Sequence, residues 1–472
     1  MNKYLCYISK VMLLLFVISN GDTISAQITY YVSSTEGLNS NDGLTVLTPK
    51  KDLSEIPKNG VNIFLKRGDV FWGAISGYTN CNIGGYGEGE KPIICGFKIL
   101  RDLEAWENIG DSLWRIDLSK TIHFVGNIEK KPNGVINNIG FIYDATKDKI
   151  YGRNLKSLDS LRYDMDFFTS SYYSSEDINK HPFNYVILKS SKNPSELGNL
   201  CFPMYQSAVS EMKNCVLDGI AIIGFSRMGI VRSTGCTIEN CQIDMIGGSI
   251  FIGYSTWCRY GNGIEFWYQY GDNTIKNCLI SRTYDCATTI QSNGIISSNP
   301  RNIHFIGNRI YKCRQAFEHF LNPDDGKVIT YEKCDYIDNV CYLMGENEFD
   351  TPELRDCNIL SYESQPITLN IVGNTFFGAN HLDGSHIGKG MKGNTVYIYE
   401  DQYLYMTHWL NNKNIVQPNE KKAIPRYREI THDDSKIKVL KRGSRKARRI
   451  EDKIRKQVDW KPIKINMASI IE

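Results

Sequence analysis

From residue 211 onward, apolar positions keep a fixed relation to a recurring Asn. An apolar residue precedes the Asn by two places, a Cys often follows it, and an apolar or aromatic residue stands three places beyond. The copies are MKNCVL around Asn214, IENCQI around Asn240, IKNCLI around Asn277, IGNRIY around Asn308, IDNVCY around Asn339 and VGNTFF around Asn374, at steps of 26, 37, 31, 31 and 35 residues. Each step accommodates one coil of three short strands joined by turns, with loops absorbing the differences. Short runs such as VNIFLK (61–66), AIIGF (221–225) and NTVYIY (394–399) read as strands, and helix-period stretches are scarce before residue 440. The economical architecture is an all-β right-handed parallel β-helix, a solenoid in which equivalent side chains stack at about 4.8 Å. A propeller fits less well, because its blades need about forty residues each and a regular internal meander.

Stacking the coils on the Asn predicts three columns. Met212, Ile238, Ile275, Ile306, Ile337 and Val372 form an interior column, and Leu217, Ile243, Ile280, Tyr311, Tyr342 and Phe377 form another. The Asn column sits at a turn, where Asn tolerates a left-handed backbone and its amide reaches the Asn of the next coil. Cys215, Cys241 and Cys278 then make a ladder of packed, reduced thiols. Two stretches interrupt the repeat. Residues 101–119 read as a β-hairpin pairing Trp106 with Trp114, and residues 121–205, charged and rich in Tyr and Asp, as a β-rich insertion against the solenoid. The domain plan is thus 27–120 for N-terminal coils and hairpin, 121–205 for the insertion, 206–410 for the main solenoid and 411–472 for a basic tail. Ile450, Ile454 and Val458 set an apolar stripe on a short helix in that tail, read as a cap over the open end of the solenoid.

Composition narrows the function. The 472 residues are 42% hydrophobic and 23% charged, which excludes disorder, collagen and a multispanning membrane protein. The net charge is +3, yet residues 436–456 alone carry +9 and leave −6 for the rest, so the tail is either a cap or a site for an acidic glycan or anionic surface. Nucleic acid is not expected as a partner, since no recognition motif accompanies the charge. At the N-terminus Lys3 and Lys10, the apolar Val11–Ile18 and the small-residue exit Thr23-Ile24-Ser25-Ala26 read as a signal peptide over 1–26, with the mature chain starting near Gln27. The expected location is periplasmic, secreted or cell-surface, with no transmembrane segment in the mature chain. The 14 Cys follow neither a C-x-x-C nor a zinc-ligand spacing.

The opening YYVSSTEGLNSNDGLTVLTP (30–49), IFLKRGDVFWGAI (63–75) and GGYGEGEKPIICG (84–96), with IGGSIF (246–251), RYGNGIEFW (259–267) and CRQAFEHF (313–320), resembles the pectate-lyase-like superfamily of secreted parallel β-helix proteins and a largely uncharacterised subgroup within it. The resemblance spans roughly residues 28–400. It implies the fold and a carbohydrate-related role, but the superfamily holds lyases, glycoside hydrolases, epimerases and non-catalytic proteins. The subgroup commonly carries a His where this chain has Met228, and a His/Gln/Arg-rich stretch after the coil that here reads LMGENEF (343–349). Those departures put inherited chemistry in question. Calcium is the cofactor the resemblance raises, with NSNDG (39–43) and NPDDG (322–326) as oxygen-bearing loops that also read as simple turns.

Aligning coils on their small residue sets Gly263-Ile264-Glu265-Phe266-Trp267 beside Ala287-Thr288-Thr289-Ile290-Gln291 and Ala316-Phe317-Glu318-His319-Phe320. Strand alternation turns Glu265, Trp267, Thr289, Gln291 and Glu318 outward and His319 inward. Glu265 and Glu318, two coils apart, are then about 9.6 Å distant, near the upper end for an inverting carboxylate pair. Trp257 and Trp267 offer flat surfaces for sugar rings, and Arg259 a bidentate contact for a uronate. Two readings remain open. In one the face binds a polysaccharide and cleaves it, by hydrolysis through Glu265 and Glu318 or by β-elimination assisted by Arg227 or Arg259. In the other it is a non-catalytic glycan-binding or surface-structural protein.

Overall fold

The computed structural model describes residues 27–99, 106–117, 139–169, 185–250, 258–324, 326–349, 357–361, 368–378, 381–383, 391–405, 415–416, 424–425 and 434–465. Residues 1–26, read above as a signal peptide, and Trp257 lie outside them.

The chain is nearly all β. Three ten-stranded sheets dominate, and apart from the last pair of the third, every neighbouring pair within them is parallel. Successive strands are dealt to the three sheets in rotation. Val216–Asp218 joins the first, Ala221–Phe225 the second and Met228–Val231 the third, before Thr237–Glu239 returns to the first. The side chains that these strands bury meet in one apolar interior, with Leu217, Ile238 and Ile275 from the first sheet, Ile222, Ile243 and Ile280 from the second, and Ile230, Ile264 and Ile290 from the third.

The stacking register differs from the expected one in a physically informative way. Ile275 pairs with Phe305 rather than Ile306, and Phe305 with Tyr336. The interior column is therefore Leu217, Ile238, Ile275, Phe305, Tyr336 and Ile371, while Ile306 is 37% exposed. A one-residue offset inverts every side chain of a strand. Tyr311, Tyr342 and Phe377 accordingly leave the expected interior column for the outer face of the second sheet, where they form a separate apolar cluster.

The offset arises at the corner between the first and second sheets. Asn240 and Asn277 hold the left-handed position there, at φ 53° and 54°, but in the next coils Gly307, Asp338, Gly373 and Gly393 hold it. The Asn of those copies falls one place later, in the column begun by Cys241 and Cys278. Buried Asn308, Asn339, Asn374 and Asn394 stack there, each Nδ2 donating to the next Oδ1 at 2.9–3.0 Å. Cys215 belongs to a different corner, in a column with Cys81 and Cys236. All thirteen cysteines among the described residues are free.

Asn339 uses its whole amide. Its Oδ1 accepts from Asn308 N and Nδ2, and its Nδ2 donates to Phe305 O and Asn374 Oδ1. Asn339→Ala orphans these buried groups and is expected to cost about 2–4 kcal/mol. A thermal melt within a degree of wild type would contradict this.

The described residues of the stretch 121–205 hold five strands. Its strands form two antiparallel four-stranded sheets with Phe97–Ile99 and the hairpin Glu107–Gly110/Leu113–Asp117. In that hairpin Trp114 pairs with Asn108, and Trp106 is buried in the insertion's core instead. Phe97, Phe141, Tyr143 and Cys201 pack against Ala221 and Ile223 on the outer side of the second sheet.

The C-terminal region departs from the cap reading. Lys436–Leu440 is the tenth strand of the second sheet, parallel to Thr395–Tyr399. The following helix, Arg445–Val458, starts at Ser444, whose Oγ accepts from Ala447 N, and stops at left-handed Asp459. It lies across the outer face of the second sheet, burying Ala447, Ile454 and Val458 against Tyr342, Phe377 and Tyr399. The outward-facing aromatics created by the register offset supply the apolar floor that the helix covers. Among the described residues no helix is long and apolar enough to cross a membrane.

Candidate functional site

The outer face of the third sheet carries the predicted residues. Ile264–Trp267, Cys286–Gly294 and Gln315–Pro323 pair in parallel, with Glu265 opposite Thr289 and Thr289 opposite Glu318. The two carboxylates thus share one column with a single residue between them. Val231 and Leu360 bound the column at its two ends, both apolar and buried. Trp267, Gln291 and Phe320 form the neighbouring column.

Glu265 is 5% exposed and accepts three hydrogen bonds. Asn262 Nδ2 and Gln291 Nε2 donate to Oε2, and Trp267 Nε1 to Oε1, each at 2.8 Å. Its pKa lies above the usual carboxylate value. Burial is the largest cause and outweighs the stabilising bonds from Trp267 and Asn262 and the charge of Arg227, while Asp285 pushes in the same direction as burial. Glu318 is 8% exposed and accepts a thiol contact from Cys286 Sγ at 3.4 Å. Cys286 also donates to Gln315 Oε1 at 2.7 Å. Burial, then the charges of Glu318 and Asp285, raise its pKa well above the ordinary thiol value, so it is held as a neutral donor.

A further column lies directly before the aligned small residues, and of its members only Met228 enters the sequence reading. It runs Met228, Asn262, Cys286, Gln315 and Cys357. Asn262 N donates to Met228 Sδ at 3.4 Å and Asn262 Oδ1 accepts from Cys286 N at 3.1 Å. Its signal in the sequence is the place before each of Gly229, Gly263, Ala287 and Ala316.

The other expected site residues are distributed differently. His319 points inward, 1% exposed, with its ring against Phe317 and Tyr331. Arg259 is also buried, at 5% exposure, and does not face the carboxylate column as a free cation. Its Nε donates to Gly248 O at 2.7 Å and its Nη2 to Gly140 O at 2.8 Å, with the guanidinium over the Tyr284 ring. Arg259 therefore ties the insertion to the coil. It stands on a small hairpin, Ser249–Ile250/Arg259–Tyr260, which accounts for the long step of 37 residues in the repeat. Arg227 lies over Tyr260 and exerts its charge on Glu265, and its Nε is buried with no hydrogen-bond partner among the described residues.

Of the two candidate calcium loops, NSNDG lies within the described residues, and Asp325 of NPDDG lies outside them. Asp42 Oδ1 accepts from Leu44 N and Thr48 Oγ1, so the NSNDG loop spends that oxygen on its own turn. In the second loop, Asp324 N closes a backbone bond to Gly294 O. Among the described residues no group of three or more His, Cys, Asp or Glu is placed to hold a metal ion.

What the fold and this face define is a class, a protein of three parallel sheets bearing a carboxylate-lined outer row. No family model and no curated protein matches the chain. Among solved structures it is similar to XylC in complex with xylose, at 12% identity and a TM-score of 0.40, over 80% of this chain and 72% of the other. A glycoside hydrolase is similar at 8% identity and 0.42, over 80% and 94%. The alginate lyase of Paenibacillus sp. str. FPU-7 is similar at 11% and 0.28, over 79% and 88%. At such scores the likeness assigns no chemistry.

Proposed function

We propose that the protein is an exported, carbohydrate-active right-handed parallel β-helix whose third-sheet face binds a complex polysaccharide and hydrolyses it. Glu265 acts as general acid and Glu318 as base. The observation that carries this reading is the pairing of two nearly buried carboxylates in one outward column, Glu265 having a raised pKa. A raised pKa favours retention of the proton that a leaving glycosidic oxygen needs. Two strand spacings, about 9.6 Å, leave room for a water on the far side of the sugar, as inversion requires. Trp267 holds Glu265 through its indole N–H, and its ring offers a sugar-stacking surface beside Gln291.

Elimination is the weaker chemistry, because the donors of Arg259 are engaged with backbone carbonyls. The positive charge of Arg227, which acts on Glu265, favours a substrate carrying an acidic group. A second reading, glycan binding without turnover, is favoured by one observation. The position that carries His in the resembling subgroup is Met228, whose thioether bonds the same Asn262 that fixes Glu265. No resident metal is part of either reading.

The test is a panel of acidic and neutral polysaccharides incubated with the mature protein, with and without calcium, following reducing ends and unsaturated ends together. Reducing ends alone support the hydrolase. Unsaturated ends would overturn it in favour of a lyase, and binding without any new ends would establish the second reading. Export is tested separately, by finding Gln27 at the N-terminus of protein recovered outside the cytoplasm.

A further inference from the structure

We propose that the exposed face of the helix Arg445–Val458, continued by the strand Lys436–Leu440, is a second binding site, for a soluble uronate-rich polysaccharide. It stands apart from the Glu265 row and on different residues.

The cations of this region belong to an ordered surface. Helix and strand are anchored, the strand by its pairing to Thr395–Tyr399 and the helix by Ala447, Ile454 and Val458. Arg309 Nη1 to Val458 O, at 3.5 Å, and Tyr342 OH to Glu451, at 3.1 Å, fix the helix further. At about 100° per residue, Arg445, Arg449 and Lys456 project opposite the buried stripe, along about 16 Å of helix. Lys446, Arg448 and Lys453 flank them, all exposed. Lys436 and Lys438 extend the positive surface along the sheet edge. Asp452, the acidic residue within the stripe, is engaged by Arg455 at 2.6 Å. The result is a fixed linear array of positive charge, which a linear polyanion matches.

Three polyanions meet that description, and the engaged apolar and aromatic groups favour one of them. A lipid surface attracts a polybasic face by charge and holds it firmly where an apolar face is also free to enter. Here the apolar face already lies on the second sheet. A single-stranded nucleic acid held without sequence preference gains from aromatic platforms for its bases, whereas a duplex is held through its phosphates and is distinguished by the experiment. Trp460, the aromatic nearest the helix end, packs on Tyr311 and over Arg282 instead. A carboxylate-bearing sugar chain needs only spaced cations with donor hydrogens, which Arg and Lys supply.

The experiment uses the mature full-length protein with alginate as probe, and with dextran, phosphatidylglycerol vesicles and duplex DNA as comparators at matched charge. Arg445→Gln/Arg449→Gln/Lys456→Gln removes three charges while keeping residues of similar helix propensity, so its thermal melt should match wild type. Wild type is expected to bind alginate at low salt, not dextran, with affinity falling as salt rises. The triple variant should lose about tenfold or more, whereas Glu265→Gln/Glu318→Gln should bind normally through the helix. Unchanged affinity in the triple variant, absence of salt-dependent alginate binding, or tighter binding of vesicles or DNA would overturn the proposal.

Discussion

Replacing Glu265 by Gln, or separately Glu318 by Gln, is expected to lower reducing-end release about 10²–10⁴-fold while leaving the fold intact. Fold retention is expected because each Gln keeps the shape of the Glu. At position 265 the neighbouring Gln291 amide can turn its oxygen toward the new donor. The pH profile separates the two roles. If Glu265 is the acid, activity falls as pH rises through its elevated pKa, and that alkaline limb disappears in Glu265→Gln. Glu318→Gln should instead remove the acidic limb. Stability gives an independent check on the raised pKa. A carboxyl whose folded pKa exceeds its unfolded value binds more protons folded than unfolded between the two, so stability declines as pH rises through that window. Glu265→Gln should flatten this decline in thermal melts between pH 4 and neutrality. Equal turnover in both variants and wild type would remove Glu265 and Glu318 from the mechanism.

How far the sequence could go is clearest at the corners of the coils. The interior of the first sheet was legible at Ile238 and Ile275, because apolar alternation and a left-handed Asn coincide there. From Asn308 onward the same motif letters describe a coil shifted by one residue, since Gly307 took over the left-handed turn and the Asn moved inward. Pattern alone does not separate these cases, as Asn serves equally at a turn and in a buried amide ladder. The outward Glu265 and Glu318 column was legible because small residues mark the same place in three coils and alternation fixes the rest. Arg259 was misread for lack of long-range information. Its partners Gly140 and Gly248 are backbone carbonyls, which leave no trace in residue identity, and one of them belongs to the insertion 119 residues away. The helix was correctly expected from Ile450, Ile454 and Val458. Its docking place depended on Tyr342 and Phe377 facing outward, a consequence of the very shift that the motif concealed.

Arg282→Met is expected to destabilise the protein by about 3–5 kcal/mol, the largest effect of any single substitution away from the carboxylate column. Arg282 is 0% exposed and sits at the meeting point of four parts of the chain. Its Nε and Nη2 donate to Asp244 at 2.9 and 2.5 Å within the second sheet. Its Nη1 donates to Asp148 of the insertion at 2.9 Å and to Glu348 at 3.4 Å, and Trp460 of the C-terminal segment lies against it. Ser281 Oγ links the same Asp244 to Trp460 Nε1. Removing the guanidinium leaves Asp244, also fully buried, as an uncompensated charge. Asp244→Leu/Arg282→Met should regain most of the loss, because the penalty lies in the orphaned partner more than in the absent pair. The acid limb of stability carries the same signature. Burial pushes Asp148 upward, but the charge and hydrogen bond of Arg282, with Tyr143, outweigh it and hold the carboxyl below its usual value. A depressed folded pKa gives stability that is present above the unfolded value, about 3.9, and lost as pH falls through the folded one. In Arg282→Met that support is already absent at neutral pH, so the part of the acid loss due to Asp148 should disappear and the decline below about pH 3.9 should be shallower than in wild type. A single-site loss below 1 kcal/mol, or a double variant no better than the single, would mean that the insertion and the C-terminal segment are held to the second sheet by apolar packing alone.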